Sequence, residues 1–67
     1  MKISARNKLQ GTIKSVNVGA VMAVVKIQVG DNLIESAITK DAVEDMGLKT
    51  GDSVTVMIKS TSVMIMK

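Results

Sequence analysis

Five short segments of alternating apolar residues, one helix-sized segment between the third and the fourth, and a length of 67 residues predict an all-β fold. The expected architecture is a small OB-like five-stranded barrel with one short helix between the third and fourth strands. Alternation does not reveal strand order, so an open five-stranded sheet fits the same pattern. No linker, repeat or low-complexity tract interrupts residues 1–67, which read as a single domain.

The first strand is expected over Leu9–Val18, with Leu9, Gly11, Ile13 and Ser15 on one face and Gln10, Thr12, Lys14 and Val16 on the other. Gly11 marks a bulge or bend in it. Turn residues Asn17 to Gly19 lead into Ala20–Val29, where Val21, Ala23, Val25, Ile27 and Val29 alternate. The opposite face begins with Met22 and Val24, so the first half of this strand is apolar on both sides and is expected to meet another subunit. Gly30-Asp31-Asn32 reads as a hairpin turn into a third strand, Leu33–Thr39, in which Ile34 and Ile38 alternate with Glu35 and Ala37.

A short helix over about Asp41–Met46 has two candidate N-caps, Thr39 and Asp41. Asp41 with Glu44 resembles a capping box, Gly47 suits a left-handed stop, and Val43 and Met46 are expected to face the core. The polar turn Leu48–Asp52 returns the chain to a fourth strand, Ser53–Ser60, and a fifth, Val63–Met66, closes the set.

The core of such a domain is thin. A chain of this size buries only about 60% of the surface its unfolded form exposes. Apolar residues make up 46% of it, yet none is Phe, Tyr or Trp. Small domains compensate with disulfides, a structural metal or oligomerisation. Cysteine and histidine are both absent, which removes the first two remedies and leaves a homo-oligomer as the expectation. No segment approaches the roughly 20 apolar residues that span a bilayer, and the N-terminus carries no secretion signal, so no membrane partner and a cytoplasmic location are expected.

Composition also narrows the chemistry. Without His or Cys there is no ordinary nucleophile–base pair, and a Ser–Lys pair has no strained turn around it. The six carboxylates fall in the Gly30–Glu35 region, the helix and the Gly51-Asp52 turn, all solvated positions that offer no acid–base pair. The five glycines are isolated and match neither phosphate loop nor dinucleotide fingerprint. No enzyme activity and no organic cofactor are expected. OB-like barrels commonly bind single-stranded nucleic acid, but through aromatic stacking worth roughly 1–3 kcal/mol per base. This chain has no aromatic ring, and its nine basic residues, for a net charge of +3, are spread out, so no nucleic-acid partner is expected. A nucleic-acid-binding or regulatory module remains the alternative reading.

What the chain does offer is donors. Ser4-Ala5-Arg6-Asn7 places a hydroxyl, a guanidinium and an amide together, and Lys59-Ser60-Thr61-Ser62 adds an ammonium and three hydroxyls without a carboxylate nearby. An ionised tetrahedral oxyanion carries acceptors only, so its site is built from donors only. The plain alternatives are that Arg6 serves an ion pair, Lys59 is a solvated strand residue and Thr39 is only a helix cap. The six methionines alternate with Val and Ile and read as core filler in preference to copper ligands.

Four separated stretches, SARNKLQGTI, NVGAVMAVVKIQVG, SAITKDAVEDMGLKTGDSV and VMIKSTSVMI, resemble the molbindins over nearly the whole chain. The resemblance implies an OB-like domain that binds molybdate and tungstate and assembles as a hexamer, a trimer of dimers, with oxyanions held between subunits. It implies storage and buffering of molybdate. Carried onto matching positions, it offers Ser4, Ala5 and Arg6 of SARN, Lys59 and Ser60 of IKS, and Thr39 as a further hydroxyl donor, with Asn7 orienting Arg6 or the local turn. Gly19, Ala20 and Val21 would bring backbone N–H groups to a ligand. One departure stands out: the family's middle motif commonly reads GAVNAEV, whereas Met22 and Val24 replace the Asn and Glu here.

SARN and IKS lie at opposite ends of the chain. Either the terminal strands are neighbours or the two motifs come from different subunits, and the thin core favours the second.

Overall fold

The computed structural model describes residues 5–67. Four antiparallel strands form one sheet: β1 (Asn7–Val18), β2 (Met22–Val29), β3 (Asn32–Thr39) and β4 (Ser53–Ile58). Their spatial order is β3-β2-β1-β4, with helix α1 (Lys40–Met46) between β3 and β4 and a single 3-10 turn, η1, at Ser60–Ser62. The fold is thus all-β and OB-like, but among the described residues the fifth strand is missing. Val63–Met66 follows η1 without pairing, and Met64, Ile65 and Met66 are more than 90% exposed.

β1 holds the sheet together. Its first half pairs with β4 from Asn7↔Ile58 to Thr12↔Ser53, and its second half pairs with β2 from Thr12↔Gln28 to Val18↔Ala23. Between Ile13 and Ser15 the register slips, leaving Lys14 as an extra residue. Such a bulge bends its strand and reverses which residues face inward beyond it. Ile13 therefore stands opposite Ile27, and Val16, not Ser15, stands opposite Val25 on the inner face. The irregularity sits at Lys14 and not at Gly11. Gly11 answers a different need: a Cβ there would lie 2.5 Å from the Ile27 side chain and 2.8 Å from the Gln28 carbonyl.

The core is small: Ile13, Ala23, Val25, Ile27 and Val43, with Val16, Val29, Ile38, Leu48, Val54 and Val56 packed against it. β2 supplies three of its five buried members because alternate residues of a central strand all point to one face. Helix α1 closes one end. Thr39 is its N-cap, its hydroxyl accepting from Ala42 N–H at 3.1 Å, so the Asp41–Glu44 capping box is not used and Asp41 merely sits in the first turn. Gly47 ends the helix in the left-handed conformation. Val43 packs inward as expected, but Met46, the last residue of the helix, is 60% exposed. β4 ends at Ile58, two residues short of the expected Ser60, where the chain leaves the sheet for η1.

The turn before β4 is fixed by Asp52. Its carboxylate accepts Lys49 N–H at 3.0 Å and lies 3.1 Å from Lys49 Nζ. The hydrogen bonds from Lys49 hold the Asp52 carboxyl below the usual carboxylate range. Lys26–Glu35 and Lys40–Glu44 make looser, exposed ion pairs at 3.9 Å, which add little. Among the described residues no helix is long and apolar enough to cross a membrane.

Candidate oxyanion-binding site

The strand pairing itself brings SARN and IKS together. Asn7↔Ile58 is the last rung between β1 and β4, and Arg6 and Lys59 are the next residue on each chain segment. The Asn7 amide reinforces that rung, donating from Nδ2 to the Ile58 carbonyl at 3.3 Å. Asn7 therefore ties the two motifs to each other. Arg6, Lys59, Ser60 and Thr61 line one surface pocket of about 270 Å³. The sequence reading favoured halves drawn from different subunits, but a single chain brings these two together, because β1 and β4 are neighbours in the sheet.

The electrostatics of this pocket are unusual. Like charges on facing positions of neighbouring strands repel. Among the described residues Glu35, Glu44 and Asp52 pair with Lys26, Lys40 and Lys49, and no carboxylate pairs with Arg6 or Lys59. Two cations and two hydroxyls thus converge without a carboxylate partner. η1 produces this convergence: Lys59 is still extended (φ −64°, ψ 140°), and the turn that follows brings Ser60 and Thr61 back to the same pocket. Thr61 was present in the sequence as one of several hydroxyls after Lys59, and only the turn distinguishes it from Ser62. Ala5, beside Arg6, is buried and anchors the segment. Ser4 lies outside the described residues.

The remaining candidates gather elsewhere. Gly19, Ala20 and Val21 form the exposed turn between β1 and β2, at the far end of the twelve-residue β1 from Arg6. Thr39 joins them, since it pairs with Met22, and the next N–H, that of Lys40, donates to the Val21 carbonyl at 2.8 Å. A small residue begins the turn for a plain reason: a Cβ on Gly19 would lie 2.9 Å from the Met22 carbonyl. The Gly19 N–H donates to that same oxygen at 2.8 Å. Thr39 uses its oxygen as acceptor for the helix cap, which leaves its hydroxyl proton to donate. The candidate residues thus fall into two clusters at opposite ends of β1. The pocket at Arg6 and Lys59 is open. One water takes up roughly 30 Å³ of liquid, so it has room for an anion with several waters and no wall on its outer side. Among the described residues no group of His, Cys, Asp or Glu is arranged to hold a metal cation.

A small OB-like β-domain with a carboxylate-free cluster of donors is the class these features define. The chain belongs to the TOBE domain family, whose pattern matches residues 3–65, and within it the molbindin resemblance holds. It is 45% identical over 67 residues to molybdenum-pterin-binding protein 3 of Clostridium pasteurianum, covering 98% of each chain. A molybdate-binding protein from Sporomusa ovata has the same fold at a TM-score of 0.96 and 42% identity, with both chains fully covered. The cytoplasmic molybdate-binding protein ModG, solved with molybdate bound, superimposes at a TM-score of 0.83 with 43% identity, over 90% of this chain and 43% of its own.

Proposed function

We propose that this protein binds and stores molybdate, and tungstate as its close chemical equivalent, serving intracellular molybdenum homeostasis without catalysing a reaction. The observation that carries the reading is the pocket in which Arg6, Lys59, Ser60 and Thr61 converge with no carboxylate partner. A dianion there would relieve the repulsion between the two cations and accept from every donor. The names of the relatives and the ModG complex support molybdate as the anion.

The openness of that pocket supports binding between subunits of a homo-oligomer, a hexamer by family resemblance. One copy supplies Arg6, Lys59 and Ser60, with Ala5 next to Arg6 and the Ser4 hydroxyl, from the same sequence motif, proposed as a further donor. The second cluster, Gly19, Ala20, Val21 and Thr39, is too far along β1 to reach the same ion within one chain and would face it from another copy. A cytoplasmic location fits this reading.

Isothermal titration of the purified protein with molybdate, tungstate and sulfate tests it. Molybdate is expected to bind and sulfate to bind more weakly; no molybdate binding, or equal affinity for sulfate, refutes the proposal. Replacing Arg6 removes charge-assisted hydrogen bonds worth about 1.5–3 kcal/mol. Arg6→Ala should therefore weaken molybdate binding by roughly ten- to a hundredfold while the circular dichroism spectrum stays unchanged. Unaltered affinity would move the site away from this pocket.

A further inference from the structure

Both candidate clusters have their acceptors already in use. In the segment that carries Lys59, Ser60 and Thr61, three successive carbonyls accept from within the chain. Ile58 takes Asn7 Nδ2 at 3.3 Å, Lys59 takes Ser62 N–H at 2.9 Å and Ser60 takes Val63 N–H at 3.3 Å. At the far end of β1 the same holds. The Val21 carbonyl accepts Lys40 N–H and the Met22 carbonyl accepts Gly19 N–H, both at 2.8 Å, while the Thr39 hydroxyl oxygen accepts Ala42 N–H at 3.1 Å. Arg6 and Lys59 are donors only. What the two clusters leave uncommitted is chiefly N–H and O–H.

We propose that the site reads the protonation state of its ligand, taking fully ionised tetrahedral dianions and rejecting those of equal size and charge that keep an O–H, such as hydrogen phosphate and hydrogen arsenate. The inference rests on the molybdate reading of the same residues and adds a rule of exclusion to it. A bound O–H must donate to something. No carboxylate lines the pocket, the neighbouring carbonyls are occupied, and the Ser60 or Thr61 hydroxyl can accept only by turning its own proton away from the anion. Each proton on the ligand therefore removes a donor from the complex or leaves a polar group unpaired, and an unpaired group is the costlier fault. A fully ionised anion meets neither. Size does not supply this discrimination, because sulfate and hydrogen phosphate, like selenate and hydrogen arsenate, have neighbouring central atoms and nearly equal bond lengths. Asn7 becomes a positioning residue in this account, since its amide engages the Ile58 carbonyl where the strand pair ends. The carboxylate nearest in sequence to either cluster is Asp41, exposed in the first turn of α1, which marks where an acceptor would enter.

Displacement of bound molybdate from the unaltered protein, followed calorimetrically in mildly alkaline buffer, compares anions that are all doubly charged. Selenate should displace molybdate about tenfold or more better than arsenate, and sulfate better than phosphate. Equal displacement within each pair, or none by any of these anions, leaves size in charge and overturns the proposal. A preference for arsenate overturns it as well, and its loss in Asp41→Asn would identify Asp41 as the acceptor. Thr61→Asp installs an acceptor in the lining. It should narrow the selenate-to-arsenate ratio by roughly threefold or more, whatever happens to the affinity for both, because their charges are equal. Where that variant binds neither anion, Thr61→Asn offers an uncharged acceptor and the same ratio is read. Asn7→Leu, which frees the Ile58 carbonyl, should narrow the ratio too, whereas a merely structural role would leave it unmoved. An unchanged ratio in the Thr61 and Asn7 variants alike overturns the proposal. Molybdate failing to bind refutes the storage reading and the exclusion together; molybdate bound, with arsenate equal to selenate, refutes the exclusion alone.

Discussion

β2 and the C-terminal tail are built from the same kinds of residue and meet opposite fates. Ala23, Val25 and Ile27 are at most 4% exposed, whereas Met64, Ile65 and Met66 are all above 90%. Hydrophobicity does not separate them. β2 has a hydrogen-bonded neighbour on each side, β1 and β3, and the tail has none among the described residues of its own chain. Alternation of apolar residues reports a demand for burial; whether the same chain can meet it depends on which sheet edge lies within reach.

That contrast can be broken first at Ile13, the largest fully buried side chain. Ile13→Ala should cost about 2–5 kcal/mol by deleting packed methyl groups and leaving a cavity, seen as a lowered denaturant midpoint. The tail provides the control: Ile65→Ala should leave the midpoint of dissociated protein within about 0.5 kcal/mol. Any loss at Ile65 should depend on protein concentration, as stability linked to assembly must. A concentration-independent loss at Ile65 as large as that at Ile13 would erase the distinction. A smaller effect is expected where helix α1 meets the sheet. Thr39→Ala removes the N-cap hydroxyl and should cost about 1 kcal/mol. A loss of anion affinity in that variant, measured under conditions where it stays folded, would add a ligand role to the capping role.

The smallest expected effect is pH-dependent. The Asp52 carboxyl lies below its ordinary value in the folded chain and at that value in the unfolded chain. Its contribution is therefore complete above the ordinary carboxylate range and fades as the pH falls through the depressed folded value. Asp52→Asn should lower the melting temperature slightly near neutrality, and the difference from the unaltered protein should vanish in strong acid. A difference that persists there would mean that Lys49 N–H, not charge, carries the interaction.

Much of the fold was legible. β2, β3 and α1 follow from period-two alternation and from end signals at Thr39 and Gly47. The bulge was displaced because a glycine is a visible marker and an extra lysine is not: Gly11 is required by the close approach of Ile27 and Gln28, while the register slips at Lys14. The fifth strand was legible as an apolar segment but not as an unpaired one, since periodicity carries no information about the partner. The site divides in the same way. Arg6 and Lys59 could be picked out from donor chemistry without a carboxylate, yet their adjacency depended on β1 pairing with β4, which no pattern in either strand encodes. Thr61 gained its place only through η1.

The placement of the two candidate clusters at opposite ends of β1 has an arithmetic consequence. A subunit with one donor set at each end can lend each set to a different neighbour. Any closed ring or dimer of n such subunits completes n ligand positions, while an open chain of the same n completes n − 1 and leaves an unfilled half at each terminus. In the molybdate reading, ligand stoichiometry is thus a count of closure: one anion per chain at this class of site reports a sealed assembly, and a shortfall reports open ends.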